Sequence, residues 1–244
     1  MTSTDEKMAL WPALKTAVGE DQHRLDREMA RWSEAYGERG GKIHCSRGCR
    51  NCCTLHVEVS LTEALLVSDA LTVEQAAAVE AAVERMGAEL AGVDDFKTFL
   101  RRYRQRVGAC PFLDADGVCT VYAVRPFACR ALLSTRPADW CAIDFATLSP
   151  LERTLFMDSL DRTVVAFPTH YVADTQERAQ ELEAAAIAAM RERFGLAVSG
   201  NLPYLVHLQR RYGLSEALAQ GEKAVRELLH HHGIDSPFLV HLHT

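Results

Sequence analysis

Apolar positions recur with a helical period over most of the chain. From Met8 to Tyr36, Leu10, Leu14, Val18, Leu25, Met29 and Trp32 form an interrupted stripe that predicts a first helix, stopped by Gly37, Gly40 and Gly41. Ser60 with Glu63, and Thr72 with Gln75, have the spacing of capping boxes. The first predicts a helix to about Ala70. The second opens a longer helix whose face Val79, Val83, Met86 and Leu90 is spaced 4, 3 and 4. Asp94 to Val107 predicts another helix, with Phe96, Phe99, Leu100 and Tyr103 inward. Glu177 to Phe194 buries Leu182, Ala186, Ala189, Met190 and Phe194 and stops at Gly195, and Pro203–Tyr212 and Ser215–His230 complete the helical set.

Two stretches depart from that period. His56 to Ser60 alternates and predicts a short extended segment. Cys110-Pro-Phe-Leu113 and Val118-Cys-Thr-Val-Tyr122 flank Asp114-Ala-Asp-Gly117, and Asp-Gly between apolar runs signals a hairpin. With an even loop, Cys110 and Cys119 would sit on one face as diagonal neighbours. The expected fold is mostly α: one irregular helical domain over residues 1–244, with a cysteine-rich loop and one short β-hairpin forming a metal site. The cysteine region, 43–141, then has helical extensions on both sides.

Composition narrows the function. The 244 residues carry 27 Lys and Arg against 33 Asp and Glu, a net charge of −6. That balance argues against binding a nucleic-acid backbone, which needs a basic field. Arg101, Arg102, Arg104 and Arg106 do not share one helix face and read as solvated surface. No apolar run reaches the length of a signal peptide or a membrane span, so no membrane is expected and the protein reads as cytoplasmic. No nucleophile elbow, P-loop or HExxH is present.

The cysteines carry the chemistry. All eight fall between Cys45 and Cys141, and Cys45, Cys49, Cys52 and Cys53 lie within nine positions. In a reducing compartment clustered thiols read as metal ligands or redox groups, and thiolates suit zinc and iron–sulfur clusters. The x2 gap between Cys49 and Cys52 is that of a knuckle turn. The x3-then-x2 spacing also matches the three-cysteine motif of radical S-adenosylmethionine enzymes. Asn51 stands where those carry an aromatic residue, however, and no repeated βα pattern follows.

Downstream, Cys110-Pro-Phe-Leu113, Cys119-Thr-Val-Tyr122, Arg125-Pro126 and Cys129-Arg130 follow in order. With the first cluster they resemble the YkgJ-type cysteine-cluster family, described as zinc- or iron-chelating. The likeness covers about residues 43–135. It implies metal ligation by Cys45, Cys49, Cys52, Cys53, Cys110, Cys119 and Cys129. One branch, the flagellin lysine N-methylase, is similar in this motif and is associated with an iron–sulfur centre; no Gly-rich methyl-donor turn occurs here. A zinc ion or a four-iron cluster takes four thiolates. Seven motif cysteines therefore imply spare thiols or a second centre, with Cys141 either a ligand or an inert small hydrophobe.

Arg125 and Arg130 could offset thiolate charge, Arg130 alternatively forming a salt bridge. Tyr122 reads as a packed hairpin aromatic. His44 and His56 flank the cluster without a clear ligand role, and His230–His232 read as a frayed helix end. Three functions follow. An iron–sulfur cluster (4Fe-4S) could act in redox or small-molecule chemistry, methyl transfer included. A structural zinc could staple a helical protein that binds a partner. The chain could also handle metal for delivery. The partner, protein or small molecule, is not specified.

Overall fold

The computed structural model describes residues 4–244. A short helix α1 (Thr4–Met8) precedes α2 (Trp11–Glu38), which buries Leu14, Val18, Leu25 and Met29 as expected, with Trp11 in place of Leu10 and Trp32 only partly buried. After the cysteine loop come β1 (Glu58–Ser60), α3 (Leu61–Asp69) and α4 (Val73–Leu90), and both capping boxes form as the sequence indicates. Helix α5 (Phe96–Arg102) runs into a wider π turn over Tyr103–Val107. Phe99 and Tyr103 are buried there, whereas Phe96 and Leu100, expected inward, are exposed. Both precede the π turn, in α5, where the buried face runs through Phe99 to Tyr103 and leaves Phe96 and Leu100 at its edge.

The cysteine-bearing middle continues with α6 (Phe127–Ala131), α7 (Asp139–Ala142) and α8 (Pro150–Asp158). Helix α9 (Ala173–Phe194) ends at Gly195 in the left-handed conformation, φ 76°. Then follow β2 (Ala197–Asn201), α10 (Leu202–Tyr212), α11 (Leu214–Gln220), α12 (Glu222–His232) and β3 (Val240–His243). The expected single helix from Ser215 is broken between α11 and α12 at Gly221, whose φ of 117° no other residue type adopts cheaply.

The β structure is the main correction to the sequence reading. The Asp-Gly segment does not make a two-stranded hairpin but a tight turn closed by one bridge, Leu113 to Cys119. Asp114 accounts for this: its carboxylate accepts from the N–H groups of Asp116 and Val118, which satisfies the turn locally. The strands lie elsewhere, in an antiparallel sheet ordered β1-β2-β3, with Val59 opposite Gly200 and Ser199 opposite His241. All five residues of β2 are buried, so it shows no alternation in the sequence. The His-rich segment divides between the last turn of α12 and β3, where His243 Nε2 lies 2.9 Å from Ser199 Oγ.

The main core joins Leu61, Met86, Leu90, Phe99, Tyr204 and Leu205 around this sheet. A second cluster sits where α2, α6 and α9 meet, through Val18, Leu25, Phe127, Ala131, Leu182 and Ala186. A third holds Phe156, Leu160 and Val165. Among the described residues no helix is long and apolar enough to cross a membrane.

Two glycines give opposite predictions. A Cβ on Gly200 would fall 2.3 Å from the carbonyl oxygen of Leu239, so Gly200→Ala should cost about 1–3 kcal/mol. Gly19, inside α2, has open space around its would-be Cβ, so Gly19→Ala should gain about 0.5–1 kcal/mol. Urea unfolding of the pair reads both signs.

Glu183 in α9 is half-buried. Burial, and then the charges of Glu63 and Glu58, push its carboxyl up to about 8. The folded chain therefore keeps a proton that the unfolded chain releases. The associated stability is full below the ordinary range of about 4.3 and is lost as pH rises through about 8. The thermal midpoint should fall over that interval, and Glu183→Gln should flatten the fall.

Candidate metal centre

The loop between α2 and β1 presents four cysteines through successive tight turns. Cys49 N–H donates to Ser46 O at 3.0 Å, and Cys53 N–H to Arg50 O at 3.0 Å. Gly48, at φ 89°, supplies the left-handed residue the first turn needs. The loop is then fastened to two other stretches of chain. His44 N–H bonds Ser134 O at 2.9 Å, Asn51 Nδ2 bonds Ala138 O at 2.7 Å, and Ser134 N–H donates to Cys45 Sγ at 3.1 Å. Cys110 N–H bonds Cys53 O at 2.8 Å, which brings the second cysteine segment against the first.

Cys129 arrives on α6, and Glu63 fixes that helix. One carboxylate oxygen of Glu63 accepts from Phe127 N–H at 2.9 Å, the other from Ser60 N–H and Oγ–H at 3.0 and 2.8 Å. Arg130 then closes the back of the site. Its buried guanidinium donates to the carbonyls of Arg125 and Ala123, both at 2.7 Å, and pairs with Asp26 of α2. Of its two sequence readings the salt bridge is the one formed, in the interior and not at the surface.

All eight cysteines are free; Cys141 is buried, and each of the seven motif cysteines keeps solvent access. Cys52 is their electrostatic hub, because the thiols of Cys45, Cys110, Cys129 and Cys141 all feel its charge. Two groups share it. By mutual charge interaction, Cys45, Cys49 and Cys141 form one set, and Cys110, Cys119 and Cys129 the other. A hydrogen bond with Cys53, and then burial, hold the Cys52 proton far above the ordinary thiol range. Burial first, and then neighbouring thiols, push Cys45 up to about 11 and Cys110 and Cys129 up to about 12. Cys129 is accessible yet ringed by protein, as at the floor of an open pit.

The positive charge that eases this crowding is Arg125, which favours the thiolates of Cys52, Cys119 and Cys129. Its guanidinium stacks 3.9 Å over the ring of Tyr122, so Tyr122 is a partly exposed platform and not a packed hairpin residue. His56 turns away from the thiols, edge-on to Phe99 and Tyr103 at 5.1 and 5.4 Å. Arg104, expected as solvated surface, donates to the carbonyl of Cys141. It also lines a cavity of about 520 Å³ with Arg50, Asn51, Cys110, Asp114 and Asp144.

Among the described residues, no three Cys, His, Asp or Glu side chains already stand as metal ligands. The expected site is therefore not preassembled from loop and hairpin. The donor chemistry nevertheless fits a cation. Thiols crowded this closely hold their protons, and a metal ion replaces those protons while neutralising the sulfurs. Residues 44–144 match a family model named CxxCxxCC and described as "Putative zinc- or iron-chelating domain". All eight cysteines lie within this matched stretch. The match agrees with the resemblance read from the motifs and supports metal binding, of zinc or iron alike. No curated protein and no solved structure matches the chain.

Sequence reasoning missed Glu63 as a support of the site, seeing it only as a capping-box residue. It also missed Ser134, His170 and Tyr171 beside Cys141, which no spacing signalled.

Arg130→Ala would leave the carbonyls of Ala123 and Arg125 without their donor and Asp26 paired with Arg125 alone. The loss should be about 3 kcal/mol or more, read by urea unfolding. Asp26→Asn keeps both carbonyl bonds, and its loss should be smaller.

Proposed function

We propose that the CxxCxxCC region binds an iron–sulfur cluster that serves redox or small-molecule chemistry in the cytoplasm, methyl transfer among the reactions in reach. Cys45, Cys49, Cys52, Cys53, Cys110, Cys119 and Cys129 form the pool from which its ligands come. The carrying observation is the excess of thiols: Cys52 interacts with Cys45, Cys53, Cys110 and Cys129 from three chain segments, and none of the seven motif residues is fully buried. A purely structural zinc needs four thiolates and a closed shell. Here more sulfur is present than one zinc uses, Arg125 stands by to balance it, and a cavity adjoins Cys110. Charge and hydrogen bonds around the sulfurs set the potential of such a cluster.

The second reading is structural zinc, and the fastening of the loop favours it. Its backbone is already tied to residues 132–138 and to Cys110, as a stapling site requires. The helical remainder would then bind a partner protein.

Anaerobic purification, metal analysis and a visible spectrum separate the two. The cluster reading expects a brown protein with iron and sulfide, bleached by air and by reductant. Colourless protein with stoichiometric zinc, unchanged by oxygen, rejects it. Cys52→Ala and Cys119→Ala should each lower metal content sharply. Full occupancy and an unchanged thermal midpoint in both would remove these two thiols from the site.

A further inference from the structure

Cys141 and His170 lie 29 residues apart, and His170 is outside the stretch matched by the family. The two side chains nevertheless meet in the interior, His170 Nε2 at 3.3 Å from Cys141 Sγ, with relative exposures of 3% and 5%. The other ring nitrogen of His170, Nδ1, is buried without a hydrogen-bond partner. A buried imidazole whose nitrogens meet only a thiol and nothing is an expensive arrangement for packing alone.

The backbone shows that the pair is held deliberately in place. Ser134 bridges to Tyr171, and Thr135 donates to the carbonyl of His170 from both its N–H, at 3.1 Å, and its hydroxyl, at 3.0 Å. That same Ser134 donates its N–H to Cys45 Sγ. The segment 134–135 thus carries His170 on one side and the first motif cysteine on the other. Tyr171 also packs its ring on that of His170, with centroids 4.2 Å apart.

The separation matches shared ligation. A metal held by sulfur at 2.3 Å and by imidazole nitrogen at 2.0–2.1 Å in a tetrahedral shell sets N and S about 3.6 Å apart. The observed 3.3 Å needs to open by only a few tenths of an ångström to admit the ion between the two atoms.

We infer that His170 and Cys141 are ligands of the metal centre, joining thiolates of the Cys45–Cys52 loop in a mixed imidazole–thiolate site. The inference rests on the reading that the CxxCxxCC region binds metal. It adds one nitrogen donor from beyond the matched residues, and it gives Cys141 a role other than filling space. It also divides the eight cysteines. Cys141 serves the side of Cys45 and Cys49, while Cys110, Cys119 and Cys129 remain on the Arg125 side.

The test uses the full chain purified without oxygen, with its native metal measured by mass spectrometry and its K-edge X-ray absorption recorded. The inference expects outer-shell imidazole scattering in the wild type. His170→Gln should lose that scattering, and its metal should pass to a competing chelator more than about 100-fold more readily, beyond the 10–100-fold typical of outer-shell changes. His44→Gln and His56→Gln should keep the scattering, which supports His170 even if its own variant does not fold. His170→Cys should retain metal with an all-sulfur spectrum. Metal bound by thiolates with no imidazole scattering in the wild type, or scattering lost in His44→Gln or His56→Gln, overturns the inference while leaving the cysteine reading intact. Wild-type protein that holds no metal overturns the cysteine reading itself.

Discussion

The carboxylate of Glu63 closes the N-terminal ends of two helices at once. One oxygen completes the capping box of α3; the other accepts the first free N–H of α6, the helix that delivers Cys129. A carboxyl group this deep, 1% exposed, survives only because donors surround it and the Arg130 guanidinium lends positive charge. Burial raises its proton affinity, and the two N–H groups, the serine hydroxyl and Arg130 pull it back down. The position of the second cysteine group relative to the sheet depends on that balance. If Glu63 were lost, α6 would keep its packing on α2, α9 and β1, the Arg130 clamp and the Thr175 hydroxyl on the Ala131 carbonyl.

Two arginines five residues apart do different work for reasons visible in their surroundings. Arg130 is buried, and its charge is used by two carbonyls and by Asp26, which it shares with Arg125. It therefore fixes geometry. Arg125 is half-buried over Tyr122 with its charge facing the sulfurs, so it tunes electrostatics. The Arg-Pro and Cys-Arg motifs juxtapose them in sequence without revealing this division. Both guanidinium groups reach Asp26, but Arg130 is buried there while Arg125 keeps partial solvent access.

What the sequence made legible follows physical locality. The capping boxes at Ser60 and Thr72, the stripes of α4 and α9 and the stop at Gly195 are written within a few residues, and all appear in the structure. The sheet was not legible because β2 is buried on both faces and so has no period, and because its partners lie some 140 residues upstream and 40 downstream. The expected hairpin shrank to one bridge because Asp114 satisfied the turn from its own side chain. In the site, clustering in sequence singled out the cysteines; the thiols of Cys45, Cys110, Cys129 and Cys141 all feel Cys52, but among the described residues no three ligand side chains stand together as a metal site. The pairing of Cys141 with His170 stayed hidden, since nothing local marks two residues that meet only through the strand-like contact of Ser134 with Tyr171.

The sheet also sets an order of events during synthesis. Its strands come from residues 58–60, 197–201 and 240–243, so β2 cannot complete its pairing until the third strand has been made. The cysteine loop ends at Cys53, almost 190 residues earlier. At translation speeds of about 5–20 residues per second, its thiols spend roughly 10–40 s outside the finished fold. During that interval neither Cys110 nor the 132–138 segment is in place to hold the loop at first, and its sulfurs are open to oxidants and to whatever metal is at hand. The cell's redox state and metal supply over those seconds therefore act on this chain as directly as any residue in its core.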